Sequence, residues 1–473
     1  MARHEESKEP EKKRKWKVPH IYVILFIMIA LASLASYVIP AGQFDRVENE
    51  SGAEVIQPET FSYIDATAVT FYEFMFSIPD GFIQTAEIIF GILMIGGMFA
   101  VIERTGVISI GVNKLAQKFS DKGLWIIPTL MIPFALFTTF TGQVELSLIY
   151  LPAILPLVLK LGFDKITATA IVLVATISGF SLALTVPANL GTAQLIAELP
   201  FYSGLWYRAI ILAVVLSVGM FYVWRYAKKV QTNPELSITF DEQDTDQHED
   251  TDFTETKATK RQIYTSITLL IAFAFLLFGL LNYGWYFREL TGLYALIGVA
   301  AGLVAGLSTT EIAESFNEGF KRILLGAIVV GIARGIAVVL EAGEIMDTII
   351  FAFGNFVDFM PNSLTAVFMM VVQALLNFLI PSGSGQAMVT MPIMTGLSDL
   401  TGVTRQTAVL AFLMGDGFTN IFYPTSGYFM ATLAIAGVRW EKWLKFIFPL
   451  LIVWYSIAIV FLIIAQFIDY GPM

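Results

Sequence analysis

No cysteine occurs in the 473 residues. That removes disulfides, thiolate metal sites and cysteine nucleophiles together. Histidine is nearly as scarce: His4, His20 and His248 stand in a terminal tail, at the start of the first apolar run and in an acidic stretch. No His-based metal site or catalytic triad assembles from those positions. Charge is also short, with 14% charged residues against 56% hydrophobic and a mean hydropathy of +0.70. A soluble chain of this length needs far more polar surface, so composition selects an all-α polytopic membrane protein. The net charge of −10 does not describe a binding face, because much of it falls between Glu235 and Glu255. That stretch is polar, low in apolar residues and reads as a disordered linker. The N-terminal MARHEESKEPEKKRKWK runs into a long apolar stretch without a small-residue cleavage site, which reads as a retained first helix. The basic tail is short and explained by topology, so nucleic acid is not a partner.

A helix that crosses a bilayer needs about 20 mostly apolar residues. That ruler predicts nine spans, near 18–40, 82–104, 165–198, 204–226, 263–282, 291–308, 320–341, 405–434 and 442–468. Two further apolar stretches, 123–161 and 361–400, are interrupted midway by polar, Gly-containing segments. With the N-terminus in the cytoplasm and each interrupted stretch returning to its own side, 24 Lys and Arg fall inside and four outside (Arg46, Arg208, Arg288 and Arg405). Arg334 alone lies within a span. This asymmetry is the positive-inside pattern of a multi-pass cell-membrane protein, and it vanishes if the first interrupted stretch crosses outright. Both stretches therefore read as re-entrant hairpins, the first opening inward and the second outward.

The order of elements repeats. After a basic tail (1–17), a first repeat (18–226) contains hairpin 123–161 and a broken helix at 165–198. An acidic cytoplasmic linker (227–262) and a connecting helix (263–282) come next. A second repeat (291–468) contains hairpin 361–400 and a broken helix at 405–434. Shifted by 240 residues, Pro152 falls on Pro392, Gly162 on Gly402, Lys165 on Arg405, Thr167 on Thr407 and Ala168 on Ala408. One odd helix between two copies turns the second upside down, so the repeats are predicted to be inverted.

Non-helical backbone at membrane depth survives only inside protein or against a wet cavity. The hairpin tips, near Thr141–Glu145 and Ser382–Gly385, and the breaks TVPANLGT and YPTSGY are therefore predicted to meet near the midplane. There, free N–H groups suit anions and free carbonyls suit Na⁺ or ammonium. The candidate substrate and ion ligands are Thr141, Gly142, Gln143 and Glu145 on the first tip, and Ser382, Gly383, Ser384 and Gly385 on the second. Asn189 and Thr192 stand at the first break, Thr425 and Ser426 at the second. A Gly/Ser/Pro cluster in an apolar run is also compatible with a simple kink; four of them in symmetric order favour a site.

With those residues in view, the chain resembles the YfcC-like family, whose members are described as C4-dicarboxylate carrier-like proteins or basic amino-acid antiporters. That family lies within the ion-transporter superfamily. The resemblance runs from VPHIYVILFIMIALASLASYVIPAGQF through IPSGSGQAMVTMPIM to GDGFTNIFYPTSGYFMA. It implies an elevator-type carrier, commonly a homodimer, in which hairpins and broken helices slide against a scaffold and hold substrate and cation. In the dicarboxylate branch each tip carries Ser-Asn-Thr. Here the tips read Thr141-Gly142-Gln143 and Ser382-Gly383-Ser384, so the resemblance does not carry Na⁺ coupling or dicarboxylate specificity across.

Ionisable groups inside a span cost about 2.5–3.5 kcal/mol each on insertion scales and need a partner or a function. Arg334 suits a substrate carboxylate or a buried acid. Asp416, about two turns before Pro424, suits a cation, a proton, a substrate ammonium or Arg334. Glu145 has the same choices, and Glu87 faces the scaffold or a wet crevice. Two acids and one Arg fit a zwitterionic or cationic solute better than a dianion. The predicted function is secondary transport of small amino acids or carboxylates, with arginine/ornithine-like exchange favoured and a Na⁺- or H⁺-coupled C4-dicarboxylate carrier as the alternative. No cofactor is expected beyond a coupling ion. An intramembrane enzyme built on Ser384 needs a base in reach, and no span holds a mid-membrane His and no HExxH or GxSxG motif occurs; a channel needs a continuous lined path, whereas the polar residues cluster at the breaks. The aromatic residues Trp206, Tyr207 and Trp443 read as interface belts.

Overall fold

The computed structural model describes residues 20–48, 54–65, 68–240, 258–283, 285, 287–358, 361 and 364–471. The predicted basic tail 1–17 and residues 241–257 of the predicted linker lie outside the described residues. The first half begins with α1 (Ile21–Ala35) and two small antiparallel ladders. In these, β1 (Gly42–Gln43) pairs with β4 (Ser62–Tyr63) and β2 (Arg46–Glu48) pairs with β3 (Glu54–Ile56). Then come α2 (Phe71–Gln84), α3 (Ala86–Arg104), α4 (Val107–Phe119), α5 (Ile126–Thr141), α6 (Ser147–Lys160), α7 (Lys165–Ser181), α8 (Thr192–Ile196) and α9 (Leu205–Thr232). A connecting helix, α10 (Lys260–Tyr283), leads to α11 (Phe287–Ala305), α12 (Thr309–Ala342), α13 (Met346–Asp358) and α14 (Thr365–Asn377). The chain ends with α15 (Gly383–Thr401), α16 (Arg405–Thr419), α17 (Gly427–Ala436) and α18 (Trp440–Phe467).

Six helices among the described residues are long and apolar enough to cross a membrane, or seven if α12, bent by 41° after Leu325, counts as one span. The predicted broken spans appear as the shorter pairs α7–α8 and α16–α17. Sequence reasoning did not anticipate α2, α4 and α13, which have 14, 13 and 13 residues and fall below a 20-residue ruler. It also missed the strand ladders. These dock onto α13: Asp347, almost wholly buried, accepts two bonds of 2.9 Å from the Arg46 guanidinium and one of 3.0 Å from the Phe44 N–H. Phe61 stacks on Phe351 with centroids 4.0 Å apart.

Both interrupted stretches turn back on themselves. Phe134 on α5 stacks on Tyr150 of α6 at 4.1 Å, whereas a continuous helix would hold these residues roughly 24 Å apart. So although Lys122–Thr141 is long and apolar enough to cross, the chain reverses after it. Gly142 at φ +75° ends α5 in the left-handed conformation, which a residue without Cβ adopts at no steric cost. In the second hairpin Thr390 Oγ1 donates to Gln373 Oε1 at 3.0 Å across 17 residues.

The 240-residue shift places equivalent structural roles on one another. Asp164 caps α7 by accepting from Thr167 N–H at 2.8 Å, and Thr404 caps α16 by accepting from Thr407 N–H at 3.2 Å. Pro152 and Pro392 both lie inside the second hairpin arm, and Gly162 and Gly402 both take positive φ after it. Every residue of α7 after Lys165 and every residue of α16 after Arg405 is buried. The two helices pack together, flanked by α5 and α14. A separate apolar cluster joins α3, α10, α11 and α12, with residues of α6 and α17 at its edge.

Candidate functional site

The first break is Leu182–Val186, because the expected break residues Pro187–Gly191 form a π-helical turn that leads into α8; the second runs from Ile421 to Ser426, between α16 with its cap Asn420 and α17. The first hairpin grips the first break. Thr139 Oγ1 donates to Leu182 O at 2.8 Å, and the N–H of Leu184 donates to Thr139 O at 2.8 Å. The second hairpin grips the second: Thr419 Oγ1 donates to Asn377 Oδ1 at 2.9 Å, and Phe378 meets Tyr423 edge-on at 5.2 Å.

The tips also cross between halves. Gly383, the first residue of α15, lies where a Cβ would stand 3.0 Å from Asn189 Cβ, 3.2 Å from Phe180 Cζ and 3.3 Å from Asp416 Oδ2. The hairpin of one half, the turn after the break of the other and the acid on α16 thus converge on one point. Asp416 is fully buried. Its Oδ1 accepts from Asn377 Nδ2 and, at 3.4 Å, from Asn420 Nδ2, while Oδ2 has no hydrogen-bond partner among the described residues. A polar chain runs away from it through Asn377, Gln386, Gln373 and Thr390, all fully buried. A carboxylate oxygen removed from water and left without a donor is costly. Among the described residues no side chain supplies that missing bond.

On the first hairpin, Glu145 is half-buried and within electrostatic reach of Tyr428 on α17 and Tyr294 on α11. Ser147 Oγ lies 3.0 Å from Thr432 Oγ1 of α17. Asp416 is within reach of the same Tyr428, so the two acids share one tyrosine neighbour.

Most of the remaining candidates are engaged locally. Thr141 donates to Phe137 O at 2.9 Å and accepts from Gln143 N–H at 3.3 Å, and Gly142 packs on Val186. Asn189 is buried, its Oδ1 accepting the Leu190 N–H at 2.6 Å, and Thr192 is half-buried at the start of α8. Ser382 caps α15 through the Gly385 N–H at 3.3 Å, so Gly383, Ser384 and Gly385 form that helix's first turn. Thr425 and Ser426 are buried before α17, and Thr425 Oγ1 has no partner. Arg334 is not brought to this cluster. It donates to Gln84 Oε1 at 2.7 Å and pairs with Glu341 at 3.0 Å, a third of its side chain exposed.

Three assignments change. Tyr207 and Trp443 are not interface aromatics: both are buried, with Tyr207 OH donating to Phe461 O at 2.6 Å and Trp443 Nε1 to Ile421 O at 2.8 Å. Arg208, counted among the outer loop charges, is fully buried and donates to four main-chain carbonyls. Its place in WYRA at a span end gave no sign of this, because charge near a helix end reads as solvated.

Several apolar helices packed around buried helix breaks fit a multi-pass membrane transport protein. The chain belongs to the C4-dicarboxylate anaerobic carrier (DcuC) family, whose model matches residues 18–467. It is 30% identical to the Escherichia coli (strain K12) protein YfcC over 98% of this chain and 99% of that one; the description of YfcC proposes a basic amino acid antiporter. An uncharacterized protein of Haemophilus influenzae is 26% identical over 93% of this chain and 95% of its own length. The solved structure of the YdaH transporter from Alcanivorax borkumensis is similar over 96% of this chain and all of that one, at 16% identity and a TM-score of 0.42. A likeness at that score carries no argument about mechanism. Members of this family are transporters, and the chain is not an enzyme.

Proposed function

We propose that this chain is a secondary active transporter that exchanges cationic amino acids of the arginine or ornithine kind across the cell membrane. The observation that carries the reading is Asp416 Oδ2, fully buried, without a donor and facing Gly383 and Asn189. A substrate ammonium or guanidinium supplies the missing donor and the missing charge together. The repeats are inverted and the hairpins re-entrant, a reading supported by the Lys/Arg asymmetry, which also sets the N-terminus in the cytoplasm, and by the reversals at Phe134–Tyr150 and Gln373–Thr390. The hairpins and broken helices move as an elevator against α3, α11 and α12, in a homodimer. Binding residues are Asp416, Gly383, Ser384 and Asn189 on one side, and Thr141, Gly142, Gln143, Glu145, Thr425 and Ser426 on the other.

The test is counterflow in proteoliposomes loaded with arginine. Saturable entry of labelled arginine, ornithine or lysine is expected, and its absence for all three overturns the substrate assignment. A second reading, a Na⁺- or H⁺-coupled C4-dicarboxylate carrier, is favoured by the family description. A dianion would face two acids with Arg334 engaged elsewhere, so gradient-driven succinate uptake without amino-acid exchange would establish it instead. Because the chain has no cysteine, single thiols at Gly123 and Leu161 test the topology directly. Labelling from opposite sides would end the re-entrant reading of the first hairpin.

A further inference from the structure

Arg208 is the fourth residue of α9, and its side chain is fully buried. No carboxylate pairs with it among the described residues. Instead Nε donates to Ala183 O at 2.7 Å, Nη1 to Ser203 O at 2.7 Å, and Nη2 to Leu184 O and Tyr202 O at 3.4 Å each. Ala183 and Leu184 lie in the first helix break, whose carbonyls are the groups that would otherwise ligate a cation. Their partners can be traced. Asn189 Nδ2 reaches Phe180 O, Thr139 Oγ1 holds Leu182 O, Arg208 holds Ala183 O and Leu184 O, and the Gly191 N–H holds Val186 O.

The other half performs the same task with a neutral donor. The helices α9 and α18 both have 28 residues, and Trp443 is the fourth of α18. Trp443 Nε1 donates to Ile421 O, which comes after the end of α16 as Ala183 comes after the end of α7. The acid shows the converse substitution. Asp416 stands three residues before the end of α16; counted from the helix end the matching position on α7 is Ser178, whose hydroxyl turns back to Val174 O at 2.6 Å, and by the shift of 240 it is Thr176, whose hydroxyl turns back to Val172 O at 2.9 Å. Each half therefore carries one charge at its break where the other half carries a neutral residue: positive at the first, negative at the second.

We infer that Arg208 is a fixed counter-ion that occupies the carbonyl end of the first helix break, closing it to dissociable cations and confining cation binding to the Asp416 side. This rests on the breaks being the transport site, and it makes Arg208 a positioning residue rather than a substrate ligand. A tethered guanidinium satisfies the carbonyls continuously, whereas a bound Na⁺ would have to be captured in each cycle. The substrate's positive end is thereby directed away from the first break.

Thermal unfolding of the full-length detergent-solubilised protein, monitored by tryptophan fluorescence in NaCl against choline chloride at constant ionic strength, tests this without a transport assay. It therefore reads separately from the substrate assignment. With Asp416→Asn, which removes the acid at the second break, no Na⁺-specific rise in Tm is expected; a saturable rise that persists when Glu145→Gln is added means that a cation site survives beside Arg208 and overturns the inference. Adding Arg208→Met vacates the carbonyls, and a saturable Na⁺-specific rise, or folding only in NaCl, is then expected. A double variant that folds with no response to Na⁺ overturns it. Arg208→Lys in the Asp416→Asn background keeps the charge, and is expected to fold and ignore Na⁺. A lysine variant that fails to fold, or that gains Na⁺ dependence, counts against a counter-ion role.

Discussion

Gly383→Ala places one methyl group at the point where both halves meet. Its Cβ would stand 3.0–3.3 Å from Asn189, Phe180 and the free oxygen of Asp416. Each of these is tighter than a relaxed carbon contact, so the neighbours must yield by a few tenths of an ångström. Overpacking a well-filled site costs about 1–3 kcal/mol, which converts to roughly a 5- to 150-fold loss of binding at 1.4 kcal/mol per tenfold. Because the methyl crowds the oxygen proposed to receive the substrate's positive group, the loss should fall on KM. The assay is labelled-arginine counterflow in proteoliposomes over a range of external concentrations. Gly396→Ala is the control: it lies on the same helix, and its Cβ would meet nothing within 4 Å. In a helix interior that change is worth roughly 0.5–1 kcal/mol in favour of the fold. An unchanged KM in Gly383→Ala, or an equal rise in both variants, would refute placing the substrate beside Asp416 Oδ2.

Asp416→Asn should abolish exchange of cationic amino acids while raising Tm, because it removes a buried carboxylate oxygen with no donor; a lower Tm with transport retained would contradict both halves of that expectation. Ser147→Cys with Thr432→Cys, whose present oxygens lie 3.0 Å apart, should form a disulfide on mild oxidation in an otherwise thiol-free chain, visible as a thiol count falling to zero. At the start of α2, bonds from the Thr70 N–H and then the Thr70 hydroxyl hold the Glu73 carboxyl below its ordinary range. A depressed folded value means that the cap's contribution is complete above the unfolded pKa of about 4.3 and is lost as pH falls through the folded one. Hydrogen exchange in the first turn of α2, corrected for intrinsic rates, should therefore quicken on acidification in the wild type and stay flat in Glu73→Gln. Thr70→Ala should cost about 1 kcal/mol at neutral pH, read as faster exchange of the same amides.

Length and hydropathy sufficed to mark a chain of many apolar helices and to find where α5 and α6, α7 and α8, α14 and α15, and α16 and α17 part, because polar interruptions in apolar runs have few physical explanations. The five residue matches at a shift of 240 were individually weak as letters. They gain meaning once Asp164 and Thr404 cap equivalent helices and Gly162 and Gly402 share one backbone conformation. What sequence could not supply was orientation. Arg334 stood out because it lay mid-span, yet its guanidinium turns to Gln84 and Glu341. Arg208 passed unnoticed because its position near a helix start resembled a solvated loop charge. Trp443 failed for the same reason, since an aromatic near a span end carries no mark of whether its N–H faces lipid headgroups or a buried carbonyl. The strand ladders and α13 were missed on length alone: two- and three-residue strands leave no periodic trace, and their anchor, Asp347 to Arg46, is 301 residues apart in sequence.

On the proposed reading, duplication accounts for the backbone of the site and divergence for its chemistry. Two identical halves would offer two identical breaks, each with free carbonyls and neither with a preferred sign, and such a site could not orient a solute bearing two different charges. Replacing the donor at one break by Arg208 and the matching hydroxyl residue at the other by Asp416 gives the assembly a positive end and a negative end without adding an element. The cost of burying each charge is met locally, by four carbonyls around the guanidinium and by two amide donors on one oxygen of the carboxylate. The asymmetry between these two solutions is where function enters: the arginine is fully engaged, while the aspartate keeps one oxygen open. A carrier must release what it binds, so the charge with a vacant bond, rather than the one already saturated, is the place for a ligand that comes and goes.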